Sequence, residues 1–254
     1  MTSTPTYAAV SVPVTALWVG PDRPREVDAP IVATTPDLLQ WLAAMDAHPD
    51  DDESGDGRLG LHGRIESQLV DGEPVIVVGA DASGDWTEVL CPWQPTPRNA
   101  DGYPGWVPTA HLRPTDLAPA PPLATEGPAA VDGDHPAVVL AREHLGVHYL
   151  WGGVTPLGFD CSGLVHHTWR RFGHVVPRDS WAMAQAADPV PLDAVRPGDL
   201  YFFAHAGRRI HHVGLVVSHG TMIHASETGE VVIEEALGRE RLDTLVAAGR
   251  LVAP

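Results

Sequence analysis

One sulfur and a few imidazoles carry the reactive chemistry of this chain. Two cysteines occur among its 254 residues, and one of them, Cys161, stands in the run Gly158-Phe159-Asp160-Cys161-Ser162-Gly163-Leu164. Beyond it the apolar positions Leu164, Val165, Thr168, Trp169 and Phe172 recur at steps of three and four, with Arg170 and Arg171 on the other side, until Gly173. That spacing predicts an amphipathic helix. Asp160 is suited to the N-cap, which makes Cys161 the first residue inside. There, unpaired backbone N–H groups and the positive end of the helix dipole favour an anion. A thiol so placed is expected to ionise readily, and the thiolate is the nucleophile.

A cysteine nucleophile needs a base and a third group to orient that base. Of the 14 histidines, His211, His212 and His224 fall in strands expected over residues 211–218 and 221–226. Alternation puts His212 on one face with Gly214 and Val216, and His211 on the other with Val213, Leu215 and Val217. His212 is the candidate base because Gly214 leaves room beside it. A hairpin turning about Ser218 would set His224 across from His212, within reach of its ring; a turn at His219-Gly220 is the alternative register. A metal site made of Cys161, His211, His212 and His224 competes with this reading. No paired C-x-x-C spacing accompanies it and a metal would compete with the nucleophile, so neither metal nor cofactor is expected.

These groups need a framework. Residues 7–33 alternate short apolar runs with Pro and Gly and read as short strands. A helical stripe of Leu38, Leu39, Trp41, Leu42 and Met45 follows, capped by Thr35 with Pro36 in the first turn, and then an acidic, solvated loop from Pro49 to Gly57. Strands are expected again at 65–69, 74–78, 86–90 and 105–108, separated by turns at Asp71-Gly72, Ser83-Gly84 and 99–102, the rhythm of a small antiparallel barrel. Cys91 reads as a small buried hydrophobe in one of these strands. Residues 116–134, rich in Pro and Ala, read as a linker. The organisation expected is therefore a small all-β barrel over 1–115 with an insertion near 36–57, the linker, and a second domain over 135–254. The second domain opens with a helix at 136–145, striped by Val138, Val139, Ala141, Arg142 and Leu145. The Cys161 helix follows, then strands at 200–203, 211–218, 221–226 and 230–234, with Leu251-Val252 closing the sheet, an α+β layout.

A formal charge of −17 argues against nucleic acid as a partner. No apolar run reaches the length that spans a bilayer. The first residues lack the basic and apolar regions of a secretory signal, so a cytoplasmic location is expected, or a secreted one if the true start lies upstream.

The segments Tyr149-Leu150-Trp151-Gly152-Gly153, Asp160-Cys161-Ser162-Gly163-Leu164, Pro177-Arg178-Asp179-Ser180, Pro197-Gly198-Asp199-Leu200, His212-Val213-Gly214 and Met222-Ile223-His224-Ala225 stand in the order seen in NlpC/p60 cysteine peptidases. Residues 135–237 resemble that family. The first domain, through Gly72-Glu73-Pro74-Val75, Asp85-Trp86-Thr87-Glu88-Val89 and Gly102-Tyr103-Pro104-Gly105-Trp106, resembles a bacterial SH3-like domain. Together they look similar to γ-D-glutamyl-L-diamino acid endopeptidases, whose partner is a muropeptide or peptidoglycan stem peptide. The resemblance implies a papain-like second domain with Cys161 as nucleophile, His212 as base, His224 as orienting group and Tyr149 at the oxyanion site. It also implies Asp160 and Ser162 as ligands of the free amine of an N-terminal L-Ala, and Ser180 as a further substrate contact. From the first domain Tyr103 and Glu73, or Glu66 in its place, are the expected substrate contacts; Trp151 reads as packing. Rival readings are a Cys/His hydrolase of other amides or lipid esters, and a catalytically idle wall-binding protein.

Overall fold

The computed structural model describes residues 6–124, 135–227 and 230–251; the expected linker residues 125–134 and Val252 lie outside them. Two compact units result, one of residues up to Ala120 with Leu150–Gly152, the other of Pro121–Tyr149 and the chain from Gly153 onward.

The first unit has seven strands: β1 (Thr6–Val10), β2 (Val14–Trp18), β3 (Ile65–Val70), β4 (Pro74–Ala80), β5 (Trp86–Cys91), β6 (Tyr103–Pro108) and β7 (Leu112–Thr115). All pairings are antiparallel, in the order β3-β2-β6-β5-β4-β1-β7. Every residue of β2 is buried, because both faces of the strand are covered. Val14, Ala16 and Trp18 join one core and Leu17 joins another with Leu69, Val75, Val89 and the free thiol of Cys91.

Helices α1 (Ala29–Val32) and α2 (Leu38–Asp46) fill the gap between β2 and β3. Residues 26–33 were expected to be extended but turn helically, with Pro30 early in α1 where its missing N–H costs nothing. The cap of α2 is Asp37, whose carboxylate accepts from Gln40 N, and not Thr35. Leu38, Trp41, Leu42 and Met45 face the core, whereas Leu39 points to solvent. Asp28 is fully buried between Arg25, which grips it with Nε and Nη2, and the Trp41 indole, which donates to it at 2.7 Å. Leu150 packs into this core, and the Trp151 indole donates to Ile65 O at 3.2 Å beside the His62 ring.

The second unit opens with α3 (Pro136–Arg142), shorter than expected because i→i+3 bonds at Glu143 and His144 and the positive φ of Gly146 end it. Ala137, Val138, Leu140 and Ala141 are its buried residues; Leu145 lies past its end and is exposed. A two-strand ribbon, β8 (Val154–Thr155) and β9 (Gly158–Phe159), leads into α4 (Cys161–Arg171). After α4 come α5 (Ser180–Ala186), β10 (Asp188–Val190), β11 (Leu200–Phe203), β12 (His212–Ser218), β13 (Thr221–Ala225), β14 (Val232–Ala236), α6 (Arg239–Thr244) and β15 (Leu245–Arg250). The strands form one antiparallel sheet, β10-β15-β11-β12-β13-β14. The last of them, β15, was not expected: it lies between β10 and β11, not at 251–252.

Strand alternation divides this sheet. Leu200, Phe202, Val213, Leu215, Ile223 and Ala225 form the core with Leu164, Val165 and Trp169 of α4, while Tyr201, Phe203, Val216 and Met222 cluster on the other side. The mixed α/β fold with antiparallel sheets therefore agrees with the sequence reading. No described helix is long and apolar enough to cross a membrane.

Replacing Trp41 by Ala empties a fully buried site and removes one donor from Asp28. The expected loss is about 3–5 kcal/mol of stability, read as a lower urea midpoint by circular dichroism; an unchanged midpoint would contradict this account of the α2 core.

Candidate active site

Cys161 is the first residue of α4, as the capping argument required. The Asp160 backbone is extended, and its Oδ1 accepts from Gly163 N at 2.6 Å. A side chain on Gly163 would run into Gly153 O, so glycine lets the helix start press against the preceding loop. The far end closes on Gly173, at φ 79°, with His174 N donating to Trp169 O, the αL termination in which a residue beyond the cap satisfies a late carbonyl.

The cap residue has a second partner. Arg178, itself 1% exposed, grips Asp160 through Nη2–Oδ2 at 2.6 Å and Nη1–Oδ1 at 3.0 Å, and its Nη1 also donates to Ser162 Oγ at 3.0 Å. Ser162 Oγ donates to Asp160 Oδ1 at 3.2 Å. Asp160 is thus half of a buried bidentate ion pair. Nothing in the segment Pro177-Arg178-Asp179-Ser180 marks Arg178 for this role in the sequence alone, although a buried carboxylate calls for a cation. Ser180 opens α5 two residues later and is buried.

The sulfur meets the start of β12. The Cys161 thiol points at His211 O, 4.0 Å away, and Val213 N–H donates to Sγ. The backbone on either side of His212 therefore lies against the sulfur. His212 is buried, its ring next to Phe203 at 5.6 Å between centroids. Its Nε2 lies 2.8 Å from Nδ1 of His224, the rings at 85°. His211, just ahead of the strand, is exposed and stacks on His205 at 4.7 Å, so it does not join the other two imidazoles.

The register differs from the first one considered. Ser218 pairs with Thr221, so His219-Gly220 is the turn, with Gly220 at φ 77°. Leu215 faces Ile223, and one step on, His224 faces Gly214. His212 and His224 are diagonal neighbours on one face, a separation that ring side chains can span. A Cβ on Gly214 would strike Met222 Sδ. The chain of contacts continues: His224 Nε2 lies 2.9 Å from Glu235 Oε1 on β14, and Arg241 Nε donates to the same oxygen at 3.0 Å. Glu235 escaped the sequence reading because its strand was placed at 230–234, two residues early.

The electrostatics correct one expectation. Burial and the adjoining Asp160 carboxylate push the Cys161 thiol up to about 12, against the opposing pull of the Val213 N–H and Arg178. A helix start alone does not ionise a sulfur taken out of water. Burial, His224 and Arg241 hold His212 well below the usual histidine range. Burial and Arg241 bring His224 down to about 4, with Glu235 working the other way. At rest the charged forms of the thiol and of both imidazoles are therefore disfavoured. Burial, Cys161 and Asp160 push the Tyr149 phenol up, leaving it a hydrogen-bond donor at any working pH.

In the first unit Tyr103 is buried and its hydroxyl donates to Glu66 Oε2 at 3.0 Å, with Arg98 bonded to the other oxygen. Glu73 does not fit the substrate-contacting role expected of it. It is fully buried, accepting from Gln94 Nε2 at 2.9 Å and Val70 N at 3.2 Å, and it braces the turn before β4.

The family model described as NlpC/P60 family matches residues 146–250. The chain is 30% identical over 275 residues to a protein of Bacillus subtilis (strain 168) named gamma-D-glutamyl-L-lysine dipeptidyl-peptidase, with 86% of this chain and 90% of that protein covered. A protein of the same name from Bacillus cereus (strain ATCC 10987 / NRS 248) is 29% identical over 314 residues, covering 92% and 90%. A crystal structure of an NlpC/P60 family protein from Bacillus cereus ATCC 10987 superposes with a TM-score of 0.82 at 26% identity, covering 98% of this chain and all of that one.

With the thiol raised, its ionised fraction grows with pH through the whole neutral range. Alkylation of Cys161 by iodoacetamide, followed by mass spectrometry, is expected to quicken about tenfold per pH unit from 6 to 9. A plateau across that range would mean a standing thiolate and contradict the neutral pair.

Proposed function

The chain belongs to the NlpC/P60 family, and on that footing we propose that it is a cysteine peptidase cutting between γ-D-Glu and the following diamino acid in peptidoglycan-derived peptides that begin with a free L-Ala. The observation that carries this reading is the seat of Cys161 Sγ against the backbone flanking His212, whose ring is tied at 2.8 Å to His224. The relatives named gamma-D-glutamyl-L-lysine dipeptidyl-peptidase support the substrate. A cut after γ-D-Glu in such a peptide releases its first two residues, which is what a dipeptidyl-peptidase does, and the name makes L-Lys the first diamino acid to test.

The chemistry follows from the neutral resting pair. His212 Nε2 is engaged by His224, which leaves Nδ1 to take the thiol proton as sulfur attacks the γ-carbonyl. Backbone N–H groups at the start of α4 and the Tyr149 hydroxyl are the donors for the oxyanion. The imidazolium then protonates the leaving amine, a thioester to γ-D-Glu remains, and His212 draws a proton from the water that hydrolyses it. The dipeptide leaves with a free γ-carboxylate and the thiol is restored.

Asp160 and Ser162, flanking the sulfur, are our candidates for the ammonium of L-Ala, because a carboxylate and a hydroxyl are its natural acceptors; Ser180 is the third candidate contact. We further read the first unit as a bacterial SH3-like module with α1 and α2 inserted, a reading supported by its all-antiparallel strands.

Incubation with L-Ala-γ-D-Glu-L-Lys should yield L-Ala-D-Glu and lysine by mass spectrometry. Cys161→Ala is expected to abolish the products, and acetylating the L-Ala amine should do the same. Persistence of cleavage in the variant would rule out Cys161 as nucleophile; cleavage of the acetylated peptide at the normal rate would rule out recognition of the free amine.

A further inference from the structure

The two imidazoles at the site are symmetrical in principle: the single hydrogen between His212 Nε2 and His224 Nδ1 can belong to either ring. The choice decides whether the site can react. If His212 holds the hydrogen on Nε2, its Nδ1 carries a lone pair and can accept the thiol proton. If His224 holds it on Nδ1, His212 Nε2 becomes the acceptor. A neutral His212 must then carry its own hydrogen on Nδ1 and has no lone pair left with which to act as a base.

We propose that Glu235 makes this choice, acting as a positioning residue that fixes the tautomers of both histidines. The inference rests on the peptidase reading for its consequence in catalysis and on geometry for its cause. Glu235 Oε1 lies 2.9 Å from His224 Nε2. An ionised carboxylate only accepts, so His224 must hold its hydrogen on Nε2. Being neutral, it then offers Nδ1 as a lone pair, which obliges His212 to donate from Nε2 and leaves His212 Nδ1 open. A carboxylate two rings away thereby polarises the line His212–His224–Glu235.

Three further observations support the assignment. The sheet builds the line: His212 on β12, His224 on β13 and Glu235 on β14 lie on one face, each a diagonal neighbour of the next, with Met222 opposite Glu235 and His224 opposite Ile233. Arg241 Nε donates to the same Glu235 oxygen at 3.0 Å and Arg241 Nη2 donates to Ser226 Oγ at 3.3 Å, which keeps the carboxylate aimed. His224 is wholly buried, whereas Glu235 is only part-buried. Glu235 Oε1 is the side-chain oxygen at His224 Nε2 among the described residues, and the Ala225 backbone also bonds the ring.

The groups facing the His224 ring are the side chains of His212, Glu235 and Arg241 and the backbone of Ala225. Glu235→Gln keeps the shape, but its amide can either accept from or donate to His224 Nε2, so the tautomers become mixed; Glu235→Leu offers neither option. Both are expected to lower kcat about tenfold or more, with KM within twofold and an unchanged melting temperature. Arg241→Met, which spares the carboxylate, should lose less than Glu235→Leu. Independently of activity, 15N NMR of ring nitrogens in the inactive Cys161→Ala protein should show an unprotonated Nδ1 at His212, converted in Cys161→Ala/Glu235→Gln to an average of both forms. Wild-type kcat in both Glu235 variants, or unaltered 15N shifts, would overturn the assignment. Absence of cleavage by the wild-type chain would instead overturn the peptidase reading and leave the NMR test standing.

Discussion

Everything at the site hangs on where one carboxylate is held. Asp160 caps α4, receives both ends of the Arg178 guanidinium and precedes the sulfur, so a single side chain fixes the helix start, pairs with a buried cation and sets the position of Cys161. A buried ion pair of this kind is weak evidence for stability, since desolvation offsets most of the Coulomb gain. What it supplies is definition: bidentate geometry admits one orientation, and Ser162, bonded to both partners, shares it. Burial first, and the same carboxylate after it, raise the neighbouring thiol, so the group that places the sulfur also helps to keep it protonated.

The base side is organised by the sheet in a complementary way. Where the helix contributes a charged pair, the strands contribute a line of uncharged rings ending on Glu235. Burial makes an imidazolium costly at both histidines, which suits the proposed transfer of a proton into the line as negative charge develops on sulfur or oxygen. The arrangement favours proton transfer during the reaction over charge separation before it.

Much of this was legible in the residues themselves. The α4 helix, its cap and the place of Cys161 followed from local spacing and from Asp160, which act over a single turn and need no tertiary information. Strand alternation separated His212 from Val213 and Leu215 without reference to any partner strand, whereas the face shared by His212 and His224 depended on the register, including the irregularity between Val216 and Ser218. What escaped notice depended on contacts distant in sequence. Arg178 lies 18 residues from Asp160, and nothing in its own segment singles it out from Arg170 or Arg171. Glu235 needed the end of β14, and Glu234, one position earlier, pairs with Arg142 instead. Glu73 misled for the opposite reason: a carboxylate before a strand looks exposed until Gln94, from another turn, closes over it. Residues 26–33 turn helically around Asp28, whose bond to Arg25 is local but whose bond to the Trp41 indole comes from the next helix.

The tight loop at His219-Gly220 has a bearing beyond the hairpin it closes. Side chains along a strand change sides at every residue, so lengthening that loop by one residue and sliding β13 along β12 would carry His224 to the face occupied by Ile223 and Ala225, among the apolar contacts of α4. The ring would be lost from the site without any substitution in it. Loop length far from the sulfur is in this sense part of the enzyme's chemistry, and surface insertions that most loops absorb freely are barred at this one.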